Sequence, residues 1–581
     1  MKRYTLFLSL GLLAGCLMVL SCKNEIETFL DKAPGVDLDE SVIFSSKVQC
    51  ETFVAGTYRI GIHTIFPALS AADGGVTPAR NFTINSAATD EAECDATFPH
   101  TQSWNAGLID DIGTGQEDQR FALRWTALRN CNIILERIKD VPAVDDLYRN
   151  QVRGEMKFII ALNYFEMFKR YGGVPIVDKR FQLDQDLKLP RNSIEEVVNY
   201  IVKNCDEALA LVPATYPSNF RGRITKTAVQ MLKSRTLLYA ASPLYNAATP
   251  VLSMADPANN KLVCYGNVNN ARWQAAADAA KAVIELAPGG NFALITDKGP
   301  DKNYKFMWEQ NDNSEVVLAQ KLTGSRSRTQ FPWFGLQPVA IVNSWCGVSV
   351  IHNFVRKYEK RDGTPQTWDP AGGNDLNLKY SQLDFRFAQT VGYNGSFWNK
   401  DIPILSTFQG GAQAADCRGG AWMKKLIPDL LAIGVNATSN DMLFRLGEAY
   451  LNYAEALNEA QGPVQAAYDA VNIIRNRSGM PNLPAGLTKD QFRTRVRNER
   501  DIELAFEDHR FFDIRRWVIA ENDGVMKGKM FGLTVAKIGA TNEYSYAINA
   551  FETRTFLQRM YFNPFTQNEV FKGYLVQNPG Y

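Results

Sequence analysis

The densest chemistry in the chain is the stretch RNERDIELAFEDHRFFDIRRW, Arg497 to Trp517. Read as one helix at about 100° per residue, Phe492, Val496, Glu499, Glu503, Phe506 and Arg510 fall within about 40° of one direction. Two carboxylates then share a face with apolar residues that must be buried. One chemistry for such a pair is glycoside hydrolysis, which uses two carboxyl groups across the scissile bond. The other is structural: buried carboxylates need cationic partners, and Arg510, Arg515 and Arg516 supply them. Two acids one turn apart on a single helix are badly placed to flank a glycosidic bond. The spacing therefore favours an ion-pair network that locks helices together.

Other catalytic patterns are missing from the sequence. There is no HExxH, GxSxG, Walker or EF-hand pattern, and Gly113-Thr114-Gly115 lacks the third glycine and preceding strand of a dinucleotide loop. The four histidines (63, 100, 352 and 509) stand apart from one another, so neither a metal site nor a histidine-based triad is expected. No cofactor is called for. Formal net charge is +1, without long basic or acidic blocks, which removes the electrostatic footprint of a nucleic-acid binder. Cysteines 50, 94, 131, 205, 264, 346 and 417 are widely spaced with no CxxC pair, as expected of scattered core or free thiols. Their spacing leaves one or two disulfides open.

The elements that would position these groups are mainly helical. Phe121 to Asp140 and Val152 to Tyr171 have helical periodicity, and Gly172-Gly173 stops the second. Ser193 with Glu196 forms a capping box for a helix running to about Leu211, and Thr225 to Tyr245 forms another. The alanine-rich Ala271 to Gly290 resembles half of a tetratricopeptide repeat. Leu443, Leu446, Tyr450, Tyr453 and Leu457 predict a helix pairing with Val464 to Arg477 across Gly462-Pro463. The fold class is thus mostly α: tetratricopeptide-like helix pairs form a scaffold, with long loop-rich insertions carrying short strands. The insertions are about Gly74 to Ile112 and Phe292 to Gly434, rich in Gly, Asn, Asp and aromatics, with a strand expected near Glu315 to Ala319. With 45% hydrophobic residues in 581, the chain has ample material for a core.

The first residues read as an export leader. Lys2 and Arg3 precede a nearly all-apolar run from Tyr4 to Leu20, too short for a spanning helix and ended by polar Lys23-Asn24-Glu25. Both Cys16 and Cys22 follow lipobox-like residues. Cleavage before Cys22 uses the whole apolar run, so residues 1–21 are assigned as the signal peptide, Cys22 as the lipidated (palmitate-bearing) residue, and 22–45 as a tether. The body divides into an N-terminal region, 46–250, and a C-terminal region, 251–581, with the insertion at about 292–434.

Six blocks carry a resemblance to a known family. They are ATDEAE (88–93), EMKFIIALNYFEMFKRYGGVPIV (155–177), RLGEAYLNYAEALNEA (445–460), IIRNRSGMP (473–481), NERDIELAFEDHRFFDIRRW (498–517) and YFNPFTQNEVFKGYLVQNPGY (561–581). In this order they resemble the SusD/RagB family of outer-membrane nutrient-binding lipoproteins. The resemblance implies a non-enzymatic surface protein of the outer membrane, anchored by lipid and facing the cell exterior. Its implied partner is a SusC-like TonB-dependent transporter, to which it delivers an oligosaccharide or, alternatively, a peptide.

Capture of a sugar needs an aromatic ring for its C–H face and polar side chains for its hydroxyls. FPHTQSWNAG (98–107) sets Trp104 beside Asn105, with Arg80 and Asn81 upstream, and RTQFPWFGLQPVAIVNSWCG (328–347) offers Trp333, Phe334 and Trp345. The resemblance places ligand aromatics in comparable loop regions, so these seven are the candidate binding residues. Each loop Trp has a second reading as a packing anchor. Trp125, Trp273, Trp308 and Trp517 are assigned to the core. Two readings outside nutrient capture stay open, a lipid-anchored glycoside hydrolase and a scaffold that binds protein only.

Overall fold

Helical periodicity and caps become a row of helices in the computed structural model, which describes residues 40–62, 83–182, 184–186, 188–325, 336–342, 347–432 and 435–581. In the N-terminal half lie Lys47–Gly61 (α1), His100–Ala106 (α2), Phe121–Arg137 (α3), Asp146–Tyr171 (α4), Ile194–Leu211 (α5) and Lys226–Ala241 (α6). Then follow Ala271–Leu286 (α7), Asn303–Glu309 (α8), Leu446–Gln461 (α9), Gln465–Arg477 (α10), Lys489–Glu503 (α11) and Arg510–Arg516 (α12). From α3 to α7 each helix packs on the next, and α7 continues directly onto α9, which takes α10 and α11 in turn.

Local chemistry explains the boundaries. Ser193 accepts from the Glu196 amide while Glu196 accepts from the Ser193 amide, so the expected capping box opens α5. At the end of α4, Gly172 has φ 76°, and a Cβ there would sit 2.3 Å from the Leu262 carbonyl oxygen. A side chain at either Gly172 or Gly173 would push apart the segments that close this end. In α7 the buried Ala276, Ala277, Ala279 and Ala280 let α6 approach closely enough for Gln230 to bond the Ala279 carbonyl, at 2.9 Å.

Between α7 and α9 the chain leaves the helical row. Strands Val316–Ser325 (β2) and Asn436–Arg445 (β6) pair antiparallel, Val316 opposite Arg445 and Ser325 opposite Asn436, so the insertion leaves and returns side by side. Ala92–Cys94 (β1), Val348–Val350 (β3), Ala421–Met423 (β5) and Val391–Gly392 (β4) make a small sheet in the order β1-β3-β5-β4. A separate hairpin joins Gly528–Lys537 (β7) to Tyr544–Arg554 (β8). The apolar core follows this division. One cluster lies in the N-terminal helices, one in the insertion, and one among α7, α9, α10 and α11.

The mostly α class with strand-bearing insertions stands. Two local expectations do not. Leu443 belongs to β6, so the helix starts at Leu446. Trp308, on α8 just ahead of β2, is fully buried as expected. The Arg497 to Trp517 stretch is not one helix, because the Glu503 carbonyl, which would continue α11, is taken by Tyr304 Oη at 2.5 Å and Arg445 Nη2 at 2.6 Å. Phe506 and Asp508 then turn through positive φ before α12 begins. Cys50, Cys94, Cys131, Cys205 and Cys264 are buried and Cys417 is half-buried, all unpaired. Cys346 lies outside the described residues.

One buried acid of the helical row makes stability depend on pH. Burial pushes the Glu155 carboxyl up to about 7, against the opposing pull of Arg223 at 3.0 Å and the Tyr216 hydroxyl at 2.9 Å. A raised acid stabilises the fold below its unfolded pKa of about 4.5, and that contribution fades as pH rises toward 7. Glu155→Gln removes this slope. Between pH 4.5 and pH 8 the urea-unfolding free energy of the variant is expected to gain on the wild type by about 2–3 kcal/mol.

Candidate functional site

The two acids singled out for glycosidase chemistry are saturated. Glu503 is completely buried, and its carboxylate takes Arg445 at 2.7 Å, Arg477 at 2.5 Å and Arg386 at 2.9 Å. Glu499 takes Arg386 at 2.6 Å and Arg475 at 3.0 Å. Burial raises the Glu503 pKa, but Arg477, Arg445 and Arg386 outweigh it and hold the group well below the carboxylate range. Neither acid has an open face for substrate. The partners differ from those expected: Arg510 goes to Asp90 at 2.7 Å, Arg516 goes to Glu455 at 2.6 Å, and Arg515 contacts Asn563 at 3.1 Å.

The ATDEAE segment beside the first candidate loop also proves internal. Asp90 is held by Arg510 and Lys357, Glu91 accepts the Phe506 amide at 3.1 Å, and Glu93 meets Arg554 and Gln102. These bonds fasten β1 to the α11–α12 corner and to β8.

Trp104 and Asn105 correct the loop reading. Both lie on α2, with Trp104 2% and Asn105 3% exposed. The Trp104 indole N–H donates to the Gly115 carbonyl at 2.9 Å, and its ring meets Phe511 edge-on at 4.9 Å. The Arg515 guanidinium lies 5.3 Å from its centroid. Asn105 Nδ2 donates to Glu93 at 3.1 Å and to the Ala87 carbonyl at 3.2 Å. No ring face of Trp104 is left for a ligand, so it is the packing anchor, and Asn105 is a brace behind β1. Arg80, Asn81, Trp333, Phe334, Trp345 and Cys22 lie outside the described residues.

What is described is the sheet end whose residues flank those positions in sequence. Gly347 follows the second candidate loop, and its amide donates to Asp95 Oδ1 at 2.6 Å, while the Asp95 amide bonds the Gly347 carbonyl at 3.3 Å. The Val348 amide reaches Leu336, the residue just after Phe334 and its neighbour, at 3.4 Å. Ile84, which follows Arg80 and Asn81 in sequence, packs in the same apolar cluster as Leu336, Ile341 and Trp422. The described residues that flank the second candidate stretch are therefore held at the β1–β3 end of the small sheet.

Two side chains that the sequence reading passed over, Asp95 and Arg418, stand at this end. Burial pushes the Asp95 carboxyl up to about 6, despite its bond from Gly347, and its Oδ2 is buried without a hydrogen-bond partner. Arg418, with 40% of its side chain exposed, donates to the Asp95 carbonyl at 3.3 Å. The signal for Arg418 was the glycine pair after it. A Cβ at Gly419 would sit 1.9 Å from the Val350 carbonyl, so only glycine lets this segment lie against β3. The chemistry on offer is a guanidinium and a carboxyl at a sheet edge, suited to holding a polar ligand. Among the described residues no cluster of His, Cys, Asp or Glu could hold a metal ion, and no helix is long and apolar enough to cross a membrane.

Comparison with known proteins agrees with this architecture. The SusD family matches residues 314–581, and a family described as starch-binding and associating with the outer membrane matches residues 28–238. SusD-like protein P25 of Formosa agariphila is 21% identical over 68% of this chain and 69% of its own length. A SusD-like protein of Bacteroides fragilis superposes with a TM-score of 0.76 at 24% identity, covering 95% of this chain and all of its own. A SusD-like carbohydrate-binding protein of the same species gives a TM-score of 0.67 at 18% identity, over 92% of this chain and 99% of its own. At these identities the structures establish a shared fold.

Proposed function

Because the chain belongs to the SusD/RagB family, we propose that it captures an oligosaccharide at the cell surface and delivers it to a SusC-like TonB-dependent transporter in the outer membrane. The observation that carries this reading is the match of residues 28–238 to a family described as starch-binding and associating with the outer membrane. The likeness to a carbohydrate-binding protein of the same fold supports it. So does the neutralised state of Glu499 and Glu503, which removes the acid pair on which the hydrolase reading rested.

In this proposal Cys22 carries the acyl chains, each buried methylene contributing roughly 0.8 kcal/mol to anchoring. The body faces outward from the lipid. Trp333, Phe334 and Trp345 stack on sugar faces, and Arg80 and Asn81 bond hydroxyls. Arg418 extends that surface from the sheet edge. Binding without bond cleavage suits transfer, since the ligand must be released intact to the barrel.

The test is affinity electrophoresis of the chain from Lys23 onward against a panel of polysaccharides, with product analysis of the same mixtures. Retardation by one glycan without new reducing ends is expected. Trp333→Ala and Trp345→Ala are each expected to weaken that retardation about ten-fold or more, the cost of one central aromatic contact. Cleavage products would sink the non-enzymatic reading. No retardation by any glycan, with a peptide bound instead, would move the ligand class.

A further inference from the structure

A second concavity lies on the helical scaffold, away from the sheet. A groove of about 390 Å³ is bounded by the first half of α3, the segment after α4 and the C-terminal residues near Tyr574. Phe121 and Trp125 form its floor, meeting edge to face at 5.9 Å. Four cations, Arg129, Lys179, Arg180 and Lys572, stand around it against one carboxylate, Glu569. Glu569 is already paired with Lys572 at 2.7 Å. An aromatic floor ringed by surplus positive charge fits an acidic segment that also bears apolar side chains.

The chain itself supplies such a segment at this spot. Glu40, the first described residue, is clamped to the rim: Arg180 Nη1 donates to Glu40 Oε2 at 2.8 Å and Nη2 lies 2.6 Å from Oε1. Arg137 adds a longer contact at 3.4 Å. The fifteen residues before it, Glu25 to Asp39, read EIETFLDKAPGVDLD, with five carboxylates against one lysine and with Phe29, Leu30 and Leu38 among them. The eleven steps from Phe29 to Glu40 reach at most about 36–40 Å when extended, ample to cross the groove.

We propose that Glu25–Asp39 folds back over this groove, placing Phe29 and Leu30 on the Phe121–Trp125 floor and its carboxylates against Arg129, Lys179 and Lys572. The occupant is intramolecular, continuing the ion pair that Glu40 already makes with Arg180. If Cys22 bears the lipid, as the preceding reading has it, this docking shortens the unattached tether to a few residues and turns the α3 face toward the membrane.

The segment contains one trypsin site, after Lys32, which makes the proposal directly measurable on the mature chain from Lys23. Cleavage at Lys32–Ala33, followed by intact mass, is expected to run at least about ten-fold more slowly than in a free peptide of residues 25–39, because cleavage needs the undocked form. Phe29→Ala and the exposed double change Lys179→Glu/Lys572→Glu should each return the rate to that of the peptide. Cleavage of the wild-type chain at the peptide's rate would overturn the proposal, as would protection that survives both variants. A groove that instead binds anionic phosphatidylglycerol vesicles, equally well with residues 25–39 deleted, would belong to lipid and also refute intramolecular docking.

Discussion

Glu503→Gln is expected to lower the unfolding free energy by about 3–5 kcal/mol, the usual cost of breaking one side of a buried ion pair. The carboxylate satisfies Arg386, Arg445 and Arg477 at once, and none of the three has water as an alternative partner. An amide keeps the shape but turns one end from acceptor to donor, so at least one guanidinium loses its partner while all three charges stay. Burying a charge without compensation is what the network otherwise prevents. The measurement is urea unfolding at pH 7 followed by tertiary-structure signal. A loss under about 1 kcal/mol would show that the arginines find other partners and that the network is not what holds α11 in place. The same variant separates the two readings of the acid pair. If Glu503 served catalysis, the amide would leave stability intact and abolish a hydrolytic activity.

Acid should attack the same network. Burial opposes the charge on Glu503, but the three arginines keep its folded pKa below the unfolded value. Its contribution is therefore complete above pH about 4.5 and is lost as pH falls below that. Glu155 pulls the other way, its contribution fading as pH rises toward 7.

Trp104→Ala is the second large effect, with an expected loss of about 3–5 kcal/mol and no change in glycan affinity for the fraction that folds. Deleting the indole removes a ring that packs on Phe511, a surface under the Arg515 guanidinium and the donor to Gly115. Trp104→Phe keeps most of the packing and forfeits the hydrogen bond, so its cost should be smaller. Melting temperature and retardation by the identified glycan, measured on the same preparations, check both statements. A Trp104→Ala chain of wild-type stability that no longer binds would restore the loop tryptophan to the ligand site.

The contrast between Trp104 and Glu155's helix shows what a sequence discloses. α3, α4 and α5 were legible because apolar residues recur at helical spacing and because Ser193 and Gly172 mark ends by local chemistry. α2 was not, since seven residues, HTQSWNA, contain too few turns to show a period and read as a polar loop. The break after Glu503 was invisible for a different reason. No glycine or proline marks it, and the groups that end the helix, Tyr304 and Arg445, lie 199 and 58 residues away. The small sheet escaped likewise: β1 and β3 have three residues each, and Ala92 opposite Val350 pairs positions far apart in the chain. For the site, composition pointed to aromatic polar loops, while the platform of Asp95 and Arg418 needed the sheet to be seen.

The insertion between α7 and α9 leaves and re-enters through one paired doorway, β2 beside β6, while the helices on either side remain in contact. Loops past that doorway can be lengthened during evolution without moving a scaffold helix, because closing a longer loop costs little extra. Several ion pairs restrain this freedom, among them Lys357 with Asp501, Glu359 with Arg475 and Lys425 with Glu507. Arg386 reaches from inside the insertion to Glu499 and Glu503, so a transplanted segment must bring its own cation to that spot. An exchanged cassette would thus stay keyed to its host only if it carried this whole set of charges.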